Sequence, residues 1–262
     1  MTAGGRVTTD ASVLEVLHEV ASAVKASLEG LGDWGLAGTR EGQYKSDLVA
    51  DQAALEVIDA AGFGAVSEES GAHHPDRDVI VVLDPVDGST NASRGLPWWA
   101  TSACALDRHG PLAAVVVNQA TGTRFAAIRG GGATRDGVPI APSGATDIGA
   151  SIVAFSGYPG TYLGWSQFRS LGAAALDLCA VACGSLDAFV DCGGTSLAPW
   201  DYLGGMLICQ ESGAAVGEAF GRDLVVREFG PRRTAVAAAT PELLATVVAA
   251  RVSLSEGPPP AD

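Results

Sequence analysis

The chain is predicted to fold as a mixed α+β and α/β protein of two units, and three observations carry that expectation. Two amphipathic helical patterns open the sequence, a series of closely spaced strand patterns follows, and beyond Pro142 strands and helices alternate. The expected division is 1–142 for a first α+β unit and 143–254 for a second α/β unit. The segment SEGPPPAD at 255–262 is too polar and Pro-rich to pack and is expected to be disordered.

Taken in order, Asp10 is placed to cap a helix over 11–29, where Leu14, Leu17, Ala21, Val24 and Leu28 recur at helical spacing and Gly30 and Gly32 end the run. A second helix over 48–60 carries Ala54, Leu55 and Ile58. Strand patterns follow at GAVSEE (64–69), VIVVLD (79–84), WWATSACAL (98–106), LAAVVVNQ (112–119) and TRFAAI (123–128). Their short, glycine-containing connections predict antiparallel pairing. The run RGGGATRDGVPI has the glycines of a dinucleotide loop, but no helical pattern follows it and Asp136-Gly137 reads as a hairpin turn. Beyond Pro142 the pattern predicts a strand at 151–155, a helix over 168–183, a strand at 187–190, a helix from 199 to about 211, strands at GAAVGEA and AVAAAT, and a last helix to about 252.

Charge narrows the function. Thirty acidic residues against sixteen basic ones give a net charge of −14, which repels nucleic acid and anionic lipid. A small phosphorylated substrate would be repelled too unless bound cations reversed the local sign. No signal-peptide core opens the chain, and the most apolar stretch, LGAAALDLCAVACG, is broken by Asp177, so a soluble cytoplasmic protein without a nucleic-acid or membrane partner is expected. The odd number of cysteines, mostly in Ala/Leu/Val surroundings, reads as buried free thiols rather than a zinc site.

The segment VIVVLDPVDGSTN drives an apolar strand straight into Asp84 and Asp87, two like charges at the edge of a packed sheet. Glu68 and Glu69 end the preceding strand, so both groups of carboxylates would emerge together. Pro85 turns the chain, and Gly88-Ser89-Thr90 can present amide hydrogens to an oxyanion. Carboxylates beside a phosphate cradle are consistent with hard divalent cations held by oxygen ligands. Spacing removes two rivals: a calcium loop counted from Asp84 would need Glu where Gly95 stands, and haloacid dehalogenase-type phosphatases use Asp-x-Asp. His73 and His74 lie in a polar loop and are expected to face solvent, and the arginines of REFGPRR are read as surface charge.

LDPVDGSTN, with SEES before it and APWDYLGG far downstream, closely resembles the inositol monophosphatase superfamily of magnesium-dependent, lithium-sensitive phosphatases. GLPWWATSACAL and RSLGAAALDLCAVACGSLDAFVD are similar to that family's intervening blocks. The resemblance implies a layered αβαβα sandwich of the inositol monophosphatase and fructose bisphosphatase type. It implies that Glu68, Asp84 and the Val86 carbonyl hold one magnesium, that Asp84, Asp87 and Asp201 hold a second, and that a third, weaker ion sits near Glu68. Gly88, Ser89 and Thr90 would bind phosphate, Ser89 and Asp47 would orient the attacking water, and Asp191 would accept hydrogens from substrate hydroxyls. The implied activity is hydrolysis of a small polyol or sugar phosphate, with histidinol phosphate or a 3′-phosphonucleotide as alternative substrates and a regulatory protein with vestigial catalysis as the alternative of another class. A homodimer is what the resemblance suggests. The chain departs from the family pattern at KSDLVADQ, where Asp51 stands two positions early and no threonine is present. The connection from Asp191 to Trp200 is also longer than usual, which leaves esters other than inositol phosphates open.

Overall fold

Thr9, not Asp10, starts the first helix: its hydroxyl accepts from the Ser12 amide at 3.2 Å and the Ser12 hydroxyl accepts in return from the Thr9 amide at 2.9 Å. The computed structural model describes residues 9–40, 42–193 and 196–254, so the tail at 255–262 lies outside the described residues. Helices α1 (Asp10–Leu28) and α2 (Lys45–Ala60) are followed by strands β1 (Gly64–Ser67), β2 (Gly71–His73) and β3 (Ile80–Asp87). A six-residue helix, α3 (Ser89–Arg94), leads to β4 (Ala100–Asp107), β5 (Gly110–Asn118), β6 (Arg124–Ile128), β7 (Gly132–Arg135) and β8 (Val138–Pro139). The second half contains β9 (Ile152–Ser156), β10 (Gln167–Arg169), α4 (Ala174–Ala182), β11 (Ala188–Asp191), α5 (Pro199–Ser212), β12 (Ala215–Glu218), β13 (Ala235–Ala238) and α6 (Pro241–Ser253).

The first sheet has eight strands in the order β2-β1-β3-β4-β5-β6-β7-β8, and the second has five in the order β10-β9-β11-β13-β12. Both faces of the first sheet are covered, so its strands read as nearly continuous apolar runs. Val81 and Leu83 of β3 pack with Val13, Leu17 and Ile58 under α1 and α2. Ile80 and Val82 pack on the other face with Leu178, Leu203 and Ile208 of α4 and α5. The second sheet closes those helices from beyond through Phe189 and Ala237, and α6 covers its outer face through Leu243 and Val247. The layers are therefore α, β, α, β, α.

Three expectations are corrected. Strands β1 and β3 pair in parallel, with Ser67 opposite Leu83, because the hairpin partner of β1 is the short β2 and the chain then crosses back to the other side of β1. The helix expected over 168–183 starts only at Ala174. Gly172 at φ +86° breaks the helical path, and residues 167–169 join the second sheet as an edge strand beside β9. The arginines of REFGPRR are not simple surface charge: Arg233 is buried, and its Nε donates to the Asp223 carbonyl at 2.6 Å. The hairpin reading of Asp136-Gly137 holds, with both residues at positive φ between β7 and β8.

Helix α5 lies between a sheet and another helix, and Gly204-Gly205 makes the fit possible. A Cβ on Gly204 would meet Ser102 Oγ at 2.8 Å, and one on Gly205 would meet Leu178 Cβ at 2.5 Å. Gly205→Ala is expected to destabilise the protein by about 1–3 kcal/mol, a fall in Tm of roughly 2–10 °C. Gly217→Ala, whose new methyl would find Leu244 Cδ2 at an ordinary 3.6 Å, should change the Tm far less. Thermal melts of both variants check the comparison, and equal shifts would show that helix spacing is not set by Gly205.

Candidate active site

Strand alternation carries Asp84 to the α4/α5 side, in phase with Ile80 and Val82. The next residues break the alternation. Asp84 is opposite Ser102 while Asp87 is opposite Ala100, so three steps on β3 match two on β4 and the strand bulges. Pro85 has no amide to give the ladder, and its carbonyl is held by Thr101 Oγ1 at 2.9 Å. The bulge sends Val86 under α1 and α2, and Asp87 turns to α4, where its Oδ2 accepts from the Ala175 amide at 2.8 Å. An anion at this helix start is locally favoured.

Glu68 follows β1 directly beside Asp84, its amide donating to the Leu83 carbonyl at 3.1 Å. Asp201 enters from α5. Pro199 begins that helix, and Asp201 Oδ2 accepts from the Ala198 amide at 2.7 Å, which fixes the carboxylate and leaves its other oxygen for the site. Carboxylate oxygens of Glu68, Asp84 and Asp201 lie within 4.8 Å of one another. Asp87 stands beside this trio.

No lysine, arginine or histidine among the described residues forms an ion pair with any of these four. Burial and mutual repulsion then drive their carboxyls upward: Glu68 to about 8, Asp201 to about 6 through burial, and Asp84 and Asp87 well above the usual carboxylate range. Such a group either holds protons or holds cations. The donors are all oxygen, and Asp84 Oδ1 is already oriented by the Val86 amide at 2.9 Å. Buried, unpaired, convergent carboxylates of this kind fit hard divalent cations.

The other expected residues are placed as follows. Asp47 sits in the first turn of α2, where its Oδ2 accepts from the Tyr44 amide at 2.8 Å. Burial raises its carboxyl, opposed by the Tyr44 amide and the Ser89 hydroxyl, so Asp47 and Ser89 are together despite the departure at KSDLVADQ. The early Asp51 is buried and accepts from Ser67 Oγ instead. Ser89 Oγ also donates to the Val86 carbonyl at 2.8 Å. Gly88 has φ +88°, and a Cβ there would lie 3.0 Å from the Gly172 carbonyl oxygen, so only glycine fits. Thr90 Oγ1 is 3.3 Å from the Tyr44 hydroxyl. Asp191 ends β11 fully buried; its Oδ1 accepts from the Gly193 amide at 2.9 Å, while Oδ2 has no hydrogen-bond partner among the described residues. His73 is half-buried against Ser70 and His74 is exposed.

A cavity of about 420 Å³ opens onto Asp47, Glu68 and Ser89. A groove of about 960 Å³ between α1 and α2 is larger but far from these carboxylates, so chemistry rather than size marks the site. The cavity also exposes residues that sequence reading missed: Arg40, Gln43, Phe229 and Arg232. Arg40 donates to Glu69 at 2.9 Å and to the Glu68 carbonyl at 3.2 Å, and Gln43 also donates to Glu69. The available signal was the placing of REFGPRR, whose Phe229 and Arg232 both stack on Trp200, the neighbour of Asp201.

The model of the inositol monophosphatase family matches residues 10–256. The chain belongs to that family. It is 32% identical over 226 residues to a fructose-1,6-bisphosphatase/inositol-1-monophosphatase of Archaeoglobus fulgidus, covering 82% of this chain and 88% of the relative. It is equally 32% identical to the Nus factor SuhB of Salmonella typhimurium, over 80% of this chain and 81% of that protein. An inositol monophosphatase structure from Anabaena superposes with a TM-score of 0.79 at 24% identity, covering 95% of this chain and 98% of that one, and confirms the layered fold. The family is metal-dependent, and membership supports phosphatase chemistry. Among the described residues no helix is long and apolar enough to cross a membrane.

The raised carboxyls set a pH dependence. Because Glu68 and Asp201 titrate higher in the folded chain than in the unfolded one, the metal-free fold holds extra protons between about pH 4 and 8 and loses stability as pH rises through that window. A divalent cation held there would compete with those protons, so stabilisation by added magnesium should grow with pH. Asp84→Asn should leave the metal-free Tm unchanged or raised and should remove most of the magnesium effect. Melts at pH 5 and pH 8, with chelator and with magnesium, test this; a variant stabilised by magnesium as much as the parent would make Asp84 a structural acceptor.

Proposed function

We propose that the chain is a magnesium-dependent phosphomonoesterase that hydrolyses a small polyol or sugar phosphate. The observation that carries this reading is the convergence of Glu68, Asp84 and Asp201, with no ion-pair partner among the described residues, beside the Ser89–Asp47 pair at one cavity. Glu68, Asp84 and the Val86 carbonyl would hold one ion, and Asp84, Asp87 and Asp201 another, with a weaker third near Glu68. When bound, such ions supply charge neutralisation and lower the pKa of a water.

The chain's own groups do the rest. Gly88, in a backbone conformation that other residues resist, turns its amide and those of Ser89 and Thr90 toward the phosphate. The Ser89 hydroxyl and the Asp47 carboxylate orient the attacking water, with Asp47 accepting its hydrogen. Fixed in advance by the Tyr44 and Val86 backbone, these groups need little reorganisation during reaction. Asp191 Oδ2, buried without a donor among the described residues, would supply an acceptor for a substrate hydroxyl. The archaeal relative named for both a sugar bisphosphate and an inositol phosphate supports this substrate class. Lithium inhibition, a homodimer and a cytoplasmic location belong to the same reading through the family resemblance.

The likeness to a Nus factor favours one alternative, a regulatory protein in which catalysis is secondary. Phosphate release from a panel of phosphomonoesters in magnesium separates the two. Asp87→Asn and Asp201→Asn should each lower turnover by about a hundredfold or more. Near-normal turnover by either variant at saturating magnesium would contradict the ligand assignment, and no release from any ester by the parent would favour the regulatory reading.

A further inference from the structure

We propose that Arg232 makes this site select phosphomonoesters whose leaving group carries a second anionic group, a carboxylate or a further phosphate. The inference rests on the phosphomonoesterase reading above. Arg232 and Phe229, from the connection between β12 and β13, line the same cavity as Asp47, Glu68 and Ser89. Nη1 of Arg232 donates to the carbonyls of Phe229, Gly230 and Pro231 at 3.1, 3.0 and 3.2 Å. Its Cζ lies 5.2 Å from the centroid of Trp200, which is itself buried and stacked on Phe229 at 4.8 Å. Backbone and ring together fix the guanidinium, so a bound anion would have little side-chain freedom to freeze.

Arg232 differs from the other arginine of the cavity. Arg40 already pairs with Glu69 at 2.9 Å, as Arg77, Arg129 and Arg222 pair with carboxylates elsewhere. Among the described residues Arg232 has no carboxylate within ion-pair distance, and its Nε and Nη2 have no hydrogen-bond partner. In a chain of net charge −14, a guanidinium that lines an acidic cavity without an ion-pair partner among the described residues is an unusual arrangement. Two divalent cations would balance Glu68, Asp84, Asp87 and Asp201, which leaves Asp47 and Glu69 as the other carboxylates of the cavity, Glu69 already paired with Arg40. With Arg40 engaged by Glu69, Arg232 is the cavity-lining cation left to meet a second anionic group, in a planar fork that suits carboxylate or phosphate oxygens.

Two matched pairs of esters test this in magnesium: 3-phosphoglycerate against glycerol 3-phosphate, and glucose 1,6-bisphosphate against glucose 1-phosphate. The parent should favour the more anionic member of at least one pair by roughly tenfold or more in kcat/KM, mainly through KM, as a charge-assisted contact allows. Preference in the first pair alone assigns a carboxylate, and in the second alone a phosphate. Arg232→Gln should bring that ratio close to one, and Arg232→Lys should retain part of it. A ratio near one in the parent, or an equal loss on both members in Arg232→Gln, would overturn the proposal, the latter showing that Arg232 acts only through Asp201. Calorimetry with 3-phosphonopropionate and propylphosphonate, which cannot be hydrolysed, reads the same contact without turnover. If the parent cleaves no ester, the phosphatase reading fails, and this binding pair alone decides: tighter 3-phosphonopropionate binding that Arg232→Gln abolishes supports the subsite, and equal binding overturns it.

Discussion

Carboxylates crowded into a largely buried site without an ion-pair partner are among the least favourable arrangements a fold can hold, and among the described residues Glu68, Asp84, Asp87 and Asp201 are such a group. Their repulsion has to be met by cations or by protons, and the surrounding backbone is arranged so that they cannot simply move apart. Asp84 is held by the Val86 amide, Asp87 by the Ala175 amide and Asp201 by the Ala198 amide. Each of these bonds uses one carboxylate oxygen and leaves the other for the site.

The layered architecture serves this convergence. A parallel β1/β3 pair sets Glu68 next to Asp84, the bulge at Pro85 turns Asp87 to the same side, and Gly204-Gly205 lets α5 come close enough to deliver Asp201. The site therefore draws on elements far apart in sequence, which is why the two sheets and the helices between them have to be assembled before the chemistry exists. On the proposed reading, cations held by the acidic cluster would let a strongly acidic protein take an anionic substrate, and Arg232 would extend the same logic outward from the carboxylates.

Much of this was legible in the sequence where local pattern and chemistry agree. The strand VIVVLD, the Pro-Val-Asp-Gly turn and the Pro-Trp-Asp helix start each point to one structure, and the four acidic residues stand out because apolar runs lead into them. The bulge was not legible, since alternation alone would place Asp84 and Asp87 on opposite faces. The parallel β1/β3 pairing was hidden by a three-residue strand, β2, that takes the hairpin role. Phe168, Arg169 and Leu171 have side chains a helix accepts, and neither the pairing of residues 167–169 with β9 nor the positive φ at Gly172 shows in the local pattern. Arg232 and Arg233 read as surface charge because arginine burial depends on carbonyls and an aromatic ring contributed by the fold.

The central claim is that these four carboxylates form a divalent-cation centre and not a set of protonated, hydrogen-bonded acids. Anomalous diffraction from crystals grown with manganese near pH 8 tests it most directly. The account predicts two peaks roughly 3.5–4 Å apart, the first contacted by Glu68 and Asp84 and the second by Asp84, Asp87 and Asp201, with Asp84 bridging them. An absence of manganese there, with Glu68 and Asp84 hydrogen-bonded to each other across the site, would contradict it.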